Sequence, residues 1–233
     1  MRGVALKVLD VEGARLEGSE GDASQDVLMV NGPAFGARTA KAILGGLRIV
    51  AKTTDRATWA KRALSAVLRA AEKGLGAVGG ESATLKVLSG ARNLHPLGET
   101  SFTQTAFRHG AFVGKQSLVP VSRSLTGIAI DARGRPDAIR EEMIASLPQA
   151  PAEWELRVQL SRDAEAMPVE DATVLWDEAL SRFLAVARIR ADPQPAWTDA
   201  RAAAVDDAMR FSPWTSLEAH RPLGVINRVR KDT

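Results

Sequence analysis

Cysteine and tyrosine are both absent from the 233 residues, and histidine occurs only three times. Without cysteine, disulfides and thiolate chemistry are excluded, and a zinc or iron–sulfur site would have to do without sulfur ligands. His95, His109 and His220 lie far apart in the chain. His109, in the strand-like RHG, reads as a packed or edge residue. His95 precedes Pro96 and is biased to an extended loop, and His220, in EAHRPLG, reads as part of a surface loop or cap. There is no HExxH, no GxSxG and no run of acids and histidines at metal spacing, so no metal site is expected. No apolar run approaches the roughly 20 residues of a membrane span, and the N-terminus has no signal-peptide h-region. These absences predict a cytoplasmic protein without a membrane span. The formal net charge of +3 is small and its basic residues are scattered, so nucleic acid is not an expected partner.

What is present is ample apolar material, 45% of the chain, enough to build a real core. Residues 3–10 alternate, and an acidic, glycine-containing loop separates them from a second apolar run, DVLMVN, which predicts an antiparallel pair. After Asn31-Gly32-Pro33 the period changes. Ala40, Ile43, Leu44 and Leu47 fall at helical spacing, as do Trp59, Ala63, Ala66, Val67 and Ala70 in a second segment capped near Thr54 or Asp55. The following GLGAVGG breaks that helix, and a short third helix is expected beyond it. As a phosphate loop this stretch fails, because it follows a helix and lacks the lysine and Ser/Thr of a nucleotide loop. From Phe102 the period returns to two, with an interruption near Gly110. Further strands are predicted over 128–131, over 154–160, where WELRVQL puts four apolar side chains on one face and three polar ones on the other, and over 183–189. RAAAVDDAMRF predicts a late helix. Strands and helices in separate blocks indicate an α+β fold with a largely antiparallel sheet or barrel.

Several stretches together resemble a known family. RGVALKVLDVEG followed by QDVLMVNGPAFGAR is similar to the catalase segment in which an Arg-Gly strand, a loop and a second strand precede Asn, Pro and Phe. SFTQTAFRHGAFVGKQSLVPVS resembles the next barrel strands. The stretches containing MPVEDATVLW and HRPLGVINR resemble the small catalase-related proteins of bacteria. The helical block from about Ala37 to Gly98 matches only in general character. The resemblance implies an antiparallel β-barrel of the catalase-like, heme-dependent type with attached helices. It also implies relatives that decompose hydrogen peroxide or act on organic hydroperoxides.

In that family the Arg-Gly strand lies well inside the chain. The resemblance therefore implies that residues 1–233 form one catalase-like domain without the family's N-terminal arm and distal-histidine strand, and hence an incomplete barrel. Heme is the implied cofactor, yet the family holds its iron through a proximal tyrosinate, which this sequence does not contain. The base that moves a proton between the peroxide oxygens is likewise unmatched. Asn31 corresponds to the family's paired asparagines, fitting the second better than the first, and is the candidate catalytic residue. Phe35 is the candidate cofactor-binding residue, lining a heme face, with a core role as the alternative. The expectation is a heme-binding-type protein with little or no turnover. Two alternatives stand beside it: a non-enzymatic remnant serving as a binding or interaction module, and a mis-called start of a full-length heme peroxide enzyme. An open barrel edge predicts self-association into a homo-oligomer.

Overall fold

The computed structural model describes residues 2–53, 94–132 and 135–231. The second helix, expected from about Thr54, and the short third helix, expected beyond Gly80, lie outside them. The predicted antiparallel pair is present: β1 (Gly3–Val8) runs against β2 (Gln25–Val30), in a register from Gly3 opposite Val30 to Val8 opposite Gln25. The connecting loop turns through left-handed backbone at Asp10, Gly13 and Gly18, and it buries Leu16. After β2 comes α1 (Ala40–Thr53). The sheet then resumes as β3 (Ser101–Phe102), β4 (Phe107–His109) and β5 (Phe112–Pro120), with β4 and β5 folded as a hairpin around Gly110, whose φ is +61°. Glycine at this turn avoids the steric cost that a Cβ carries there.

β6 (Ala152–Leu160) and β7 (Phe183–Ala191) complete the sheet, in the order β1-β2-β3-β5-β6-β7 with β4 alongside β5. Every pairing is antiparallel, and a bulge at Leu156/Arg157 sharpens the curl where β6 meets β7. Among the described residues the sheet does not close, so the architecture is an open, curled half-barrel. One face carries the main core: Val27, Met29, Leu118 and Trp154, with Val4, Leu6, Leu97 and Leu125 packed against them. The Trp154 indole N–H donates to Leu97 O at 2.9 Å, which lets a buried tryptophan satisfy its one donor.

The strand expected over 128–131 is a single bridge instead, Leu94 with Ala129. His95 occupies the next position and donates its backbone N–H to Ile128 O, so this stretch braces a loop and adds nothing to the sheet. A helix that the sequence pattern did not announce, α2 (Ala138–Ser146), caps this end of the core. The late helix, α3 (Asp199–Ala208), starts where the Thr198 hydroxyl accepts from Arg201 N–H, and it stops before Met209. No helix among the described residues is long and apolar enough to cross a membrane. The chain ends in a short α4 (Val225–Val229).

Two of the motif stretches meet in space. Val169 of MPVEDATVLW lies against Gly224 of HRPLGVINR, where φ is +85° and a Cβ would stand 2.5 Å from Val169 O. Glu170 and Arg228 pair across the same contact at 2.8–2.9 Å. Beneath them, fully buried Asn227 accepts from the Thr105 hydroxyl and donates to Ala106 O and Leu223 O, while its carbonyl receives the Trp214 indole N–H. This clip also covers the face of β6 that carries the polar side chains of WELRVQL. Gln159 is 2% exposed and donates to Trp176 O and Ser181 O, because residues 163–182 fold back across it.

Candidate functional site

Asn31 stands one residue beyond β2, where the β1–β2 ladder is extended by reciprocal bonds. Its backbone N–H donates to Arg2 O at 3.0 Å, and its side-chain Oδ1 accepts the Arg2 backbone N–H at 2.8 Å. Its Nδ2 donates to Glu99 Oε2 at 3.0 Å, and the Arg2 guanidinium donates to Glu99 Oε1 at 2.6 Å and to Leu94 O. The Glu99 side chain is 7% exposed, so the amide and the guanidinium together compensate a nearly buried carboxylate. In this arrangement both ends of the Asn31 carboxamide are in use as a clasp between β1, β2 and the segment before β3.

Phe35 is half-buried and ties its backbone N–H to Ala172 O. The Arg230 guanidinium lies 5.8 Å from its ring centroid, within cation–π reach. Arg230 in turn lines a cavity of about 340 Å³ on the face of β1, β2 and β3 opposite the main core. Asn31 and Phe35, four residues apart, are thus held by different partners: Asn31 by Glu99 and Phe35 by Arg230. Neither Glu99 nor Arg230 carries a local pattern that distinguishes it from an ordinary surface charge; only the fold brings each to its place.

The three histidines part company with their sequence separation. His109 and His220 stack, with ring centroids 5.8 Å apart and planes 18° from parallel. The His220 Nδ1 bonds Gln25 Oε1 at 2.9 Å, and since that oxygen can only accept, the proton is on Nδ1. Burial and then the charge of His109 hold His220 below the usual imidazole range. His95 is 2% exposed. Its Nδ1 accepts from Leu97 N–H, which leaves Nε2 as the protonated nitrogen donating to Ser146 at 2.8 Å. Burial lowers this ring too, against the opposing pull of Glu142.

Lys115, on β5, is another residue without a local sequence signal. It is 5% exposed, donates to Val174 O at 3.2 Å and sits 4.7 Å over the Trp176 ring. Burial brings its ammonium down to about 8, with Asp171 pulling the other way. Among the described residues no group of three His, Cys, Asp or Glu side chains gathers as a metal site would require.

An open antiparallel half-barrel with this connectivity defines a class, and comparison with solved structures places it: the fold is catalase-like. A fungal catalase superposes with a TM-score of 0.61 at 14% identity, over 89% of this chain and 43% of its own. Catalase A from Saccharomyces cerevisiae gives 0.60 at 13%, over 89% and 44%, and a bacterial catalase gives 0.57 at 14%, over 89% and 42%. The chain therefore spans less than half the length of these catalases. No family model matches the sequence, and no curated protein does.

The heme implied by the resemblance is testable against the side chains in place. Protein ligands to heme iron are His, Cys, Met or Tyr, and the sequence offers neither Cys nor Tyr. His95 has both ring nitrogens engaged, and His220 shares its stack with His109. Met29 and Met167 are 2% and 0% exposed and belong to the packed clusters. The cavity at β1–β3 is lined by no histidine, and its one methionine is that same Met29. Among the residues that line this cavity, none is an available axial ligand to heme iron.

Proposed function

We propose that this chain is a catalase-fold binding module with little or no peroxide turnover. One observation carries the reading: the cavity on the β1–β3 face is walled by aliphatic and aromatic side chains, with Thr103, Gln104 and Arg230 as its polar members. None of these is a base able to carry a proton between peroxide oxygens at neutral pH. The Asn31 carboxamide is bonded at its oxygen by Arg2 and through one of its two N–H donors to Glu99, which supports a structural role for it. Mixing the purified chain with hemin tests it. The expected outcome is no Soret band of a ligated heme and no oxygen evolution from peroxide above that of hemin alone. A ligated spectrum with turnover approaching that of a full-length catalase overturns the proposal.

A second reading, self-association, rests on β7. It is an outer strand among the described residues, with Leu184 56% and Val186 50% exposed. Unpaired strand edges with apolar side chains recruit further strands. Light scattering at micromolar concentration should find a species larger than the monomer, and a stable monomer refutes the reading.

A further inference from the structure

The C-terminal segment crosses the β4–β5 hairpin as a strap laid along β4. Arg108 N–H donates to Arg221 O, Gly110 N–H to Ala219 O, and Leu223 N–H to Ala106 O, each at 2.9 Å, with Phe107 and Pro222 as an antiparallel bridge between them. Across this seam His109, from β4, stacks on His220, which ends the single helical turn Glu218–His220. Gln25 of β2 holds His220 from the other side, so one pair of imidazoles joins three segments that are remote in sequence. The strap is anchored on both sides of the pair: Asp26 N–H donates to Thr215 O, and Asn227 is bonded to Thr105 and Ala106.

The surroundings suit neutral rings. With the proton of His220 fixed on Nδ1 by Gln25 Oε1, Nε2 is the nitrogen that takes the next one. His109 Nδ1 is buried with no hydrogen-bond partner among the described residues, so charging that ring leaves a buried N–H without an acceptor. The carboxylates on the adjoining elements are committed elsewhere. Asp26 on β2 holds Lys7 Nζ at 2.5 Å and accepts from Ser212 N–H, and Glu218 takes the Arg221 guanidinium on both oxygens at 2.6–2.7 Å. The other charges there are the exposed Arg108 on β4 and Arg15, which bridges Leu217 from the β1–β2 loop; both are cations and oppose an imidazolium. On β5 the residue opposite His109 is Phe112.

We propose that the His109–His220 stack is a proton-operated latch, which in mild acid takes up protons and lets the strap over 218–223 lift from β4 between its two anchors. Lifting frees the outer edge of β4. The sign follows from the ring environment: His220 is held below the ordinary imidazole value of 6.5, first by burial and then by the charge of His109, so the opened strap binds more protons than the closed one. The latch is therefore fully closed above 6.5 and loses stability as pH falls from there. This device stands whether or not the chain is a binding module.

Amide hydrogen exchange on the full chain, read residue by residue by NMR and corrected for the pH dependence of intrinsic exchange, tests the latch. From about pH 7 to about pH 5 the protection of the Arg108, Gly110 and Leu223 amides should fall about tenfold or more, while that of the amides shared by β5 and β6 is unchanged. His109→Phe keeps a ring in the stack that cannot charge, and should keep the strap protected in acid. Gln25→Glu sets a carboxylate against the His220 Nδ1–H, stabilises the imidazolium and should abolish the fall, a result that loss of packing alone would not produce. On the unaltered chain the His220 ring should titrate below 6.5 and in step with the loss of protection. If His109→Phe does not fold, that titration and Gln25→Glu decide. Equal protection at the two pH values, a fall that persists in Gln25→Glu, or a His220 that titrates at 6.5 or above overturns the inference.

Discussion

The two sides of the β5–β6 pair are opposites. On one, residues 163–182 and the C-terminal segment lock onto the sheet through Asn227, Gln159 and Lys115, with Met167 and Asn227 fully buried. On the other, β7 is paired along only one side among the described residues and exposes most of its length. A strand pattern is similar in both places. What differs is the cover, and cover turns an outward-facing polar residue such as Gln159 into a buried structural group.

The sharpest way to break this contrast is Asn227→Ala. It removes partners from the Thr105 hydroxyl and from two backbone carbonyls at a fully buried position, and should cost about 3–4 kcal/mol in urea unfolding. Next is the pH dependence of Lys115. Its folded-state value of about 8 lies below the ordinary lysine value of 10.5, so the unfolded chain binds more protons between those values. Stability should therefore rise as pH increases from about 8 to 10.5, by up to about 3 kcal/mol from this group. The same titration on Lys115→Met should lack that rise, and an unchanged slope would show the ammonium is not desolvated.

Gly224→Ala comes third. It places a Cβ at positive φ against Val169 O and should lose about 2 kcal/mol, read from the unfolding midpoint. At the open side, Val186→Lys should change stability by less than about 0.5 kcal/mol while reducing the scattering mass. If Val186→Lys destabilised as much as Asn227→Ala, the contrast between covered and open sides would be false.

The sequence made the strands over 154–160 and 183–189, the β4–β5 break at Gly110 and the start of α1 legible, because period and glycine act locally. It failed where the deciding partner is remote. Asn227 looks like any polar residue in a helix until Thr105 arrives from 122 positions away. Residues 128–131 have strand composition but, among the described residues, pair only with Leu94. α2 escaped notice because Asp137 makes no side-chain cap bond and its apolar residues form no continuous stripe. At the candidate site, Asn31 and Phe35 could be singled out by resemblance, whereas Glu99 and Arg230, which hold them, could not.

The junction between β2 and β3 has a kinetic consequence. In the sheet register these strands meet through one residue pair, Val30 with Phe102, reinforced by the Asn31–Glu99 bond, and about seventy residues of chain intervene. Closing that loop costs entropy before the pair can repay it, so the β1–β2 hairpin and the β4–β6 strands should form first as separate units and dock late. The seam between them should also open before either unit melts. Native-state hydrogen exchange would then find the β1–β2 amides exchanging together, at a lower protection than those shared by β5 and β6.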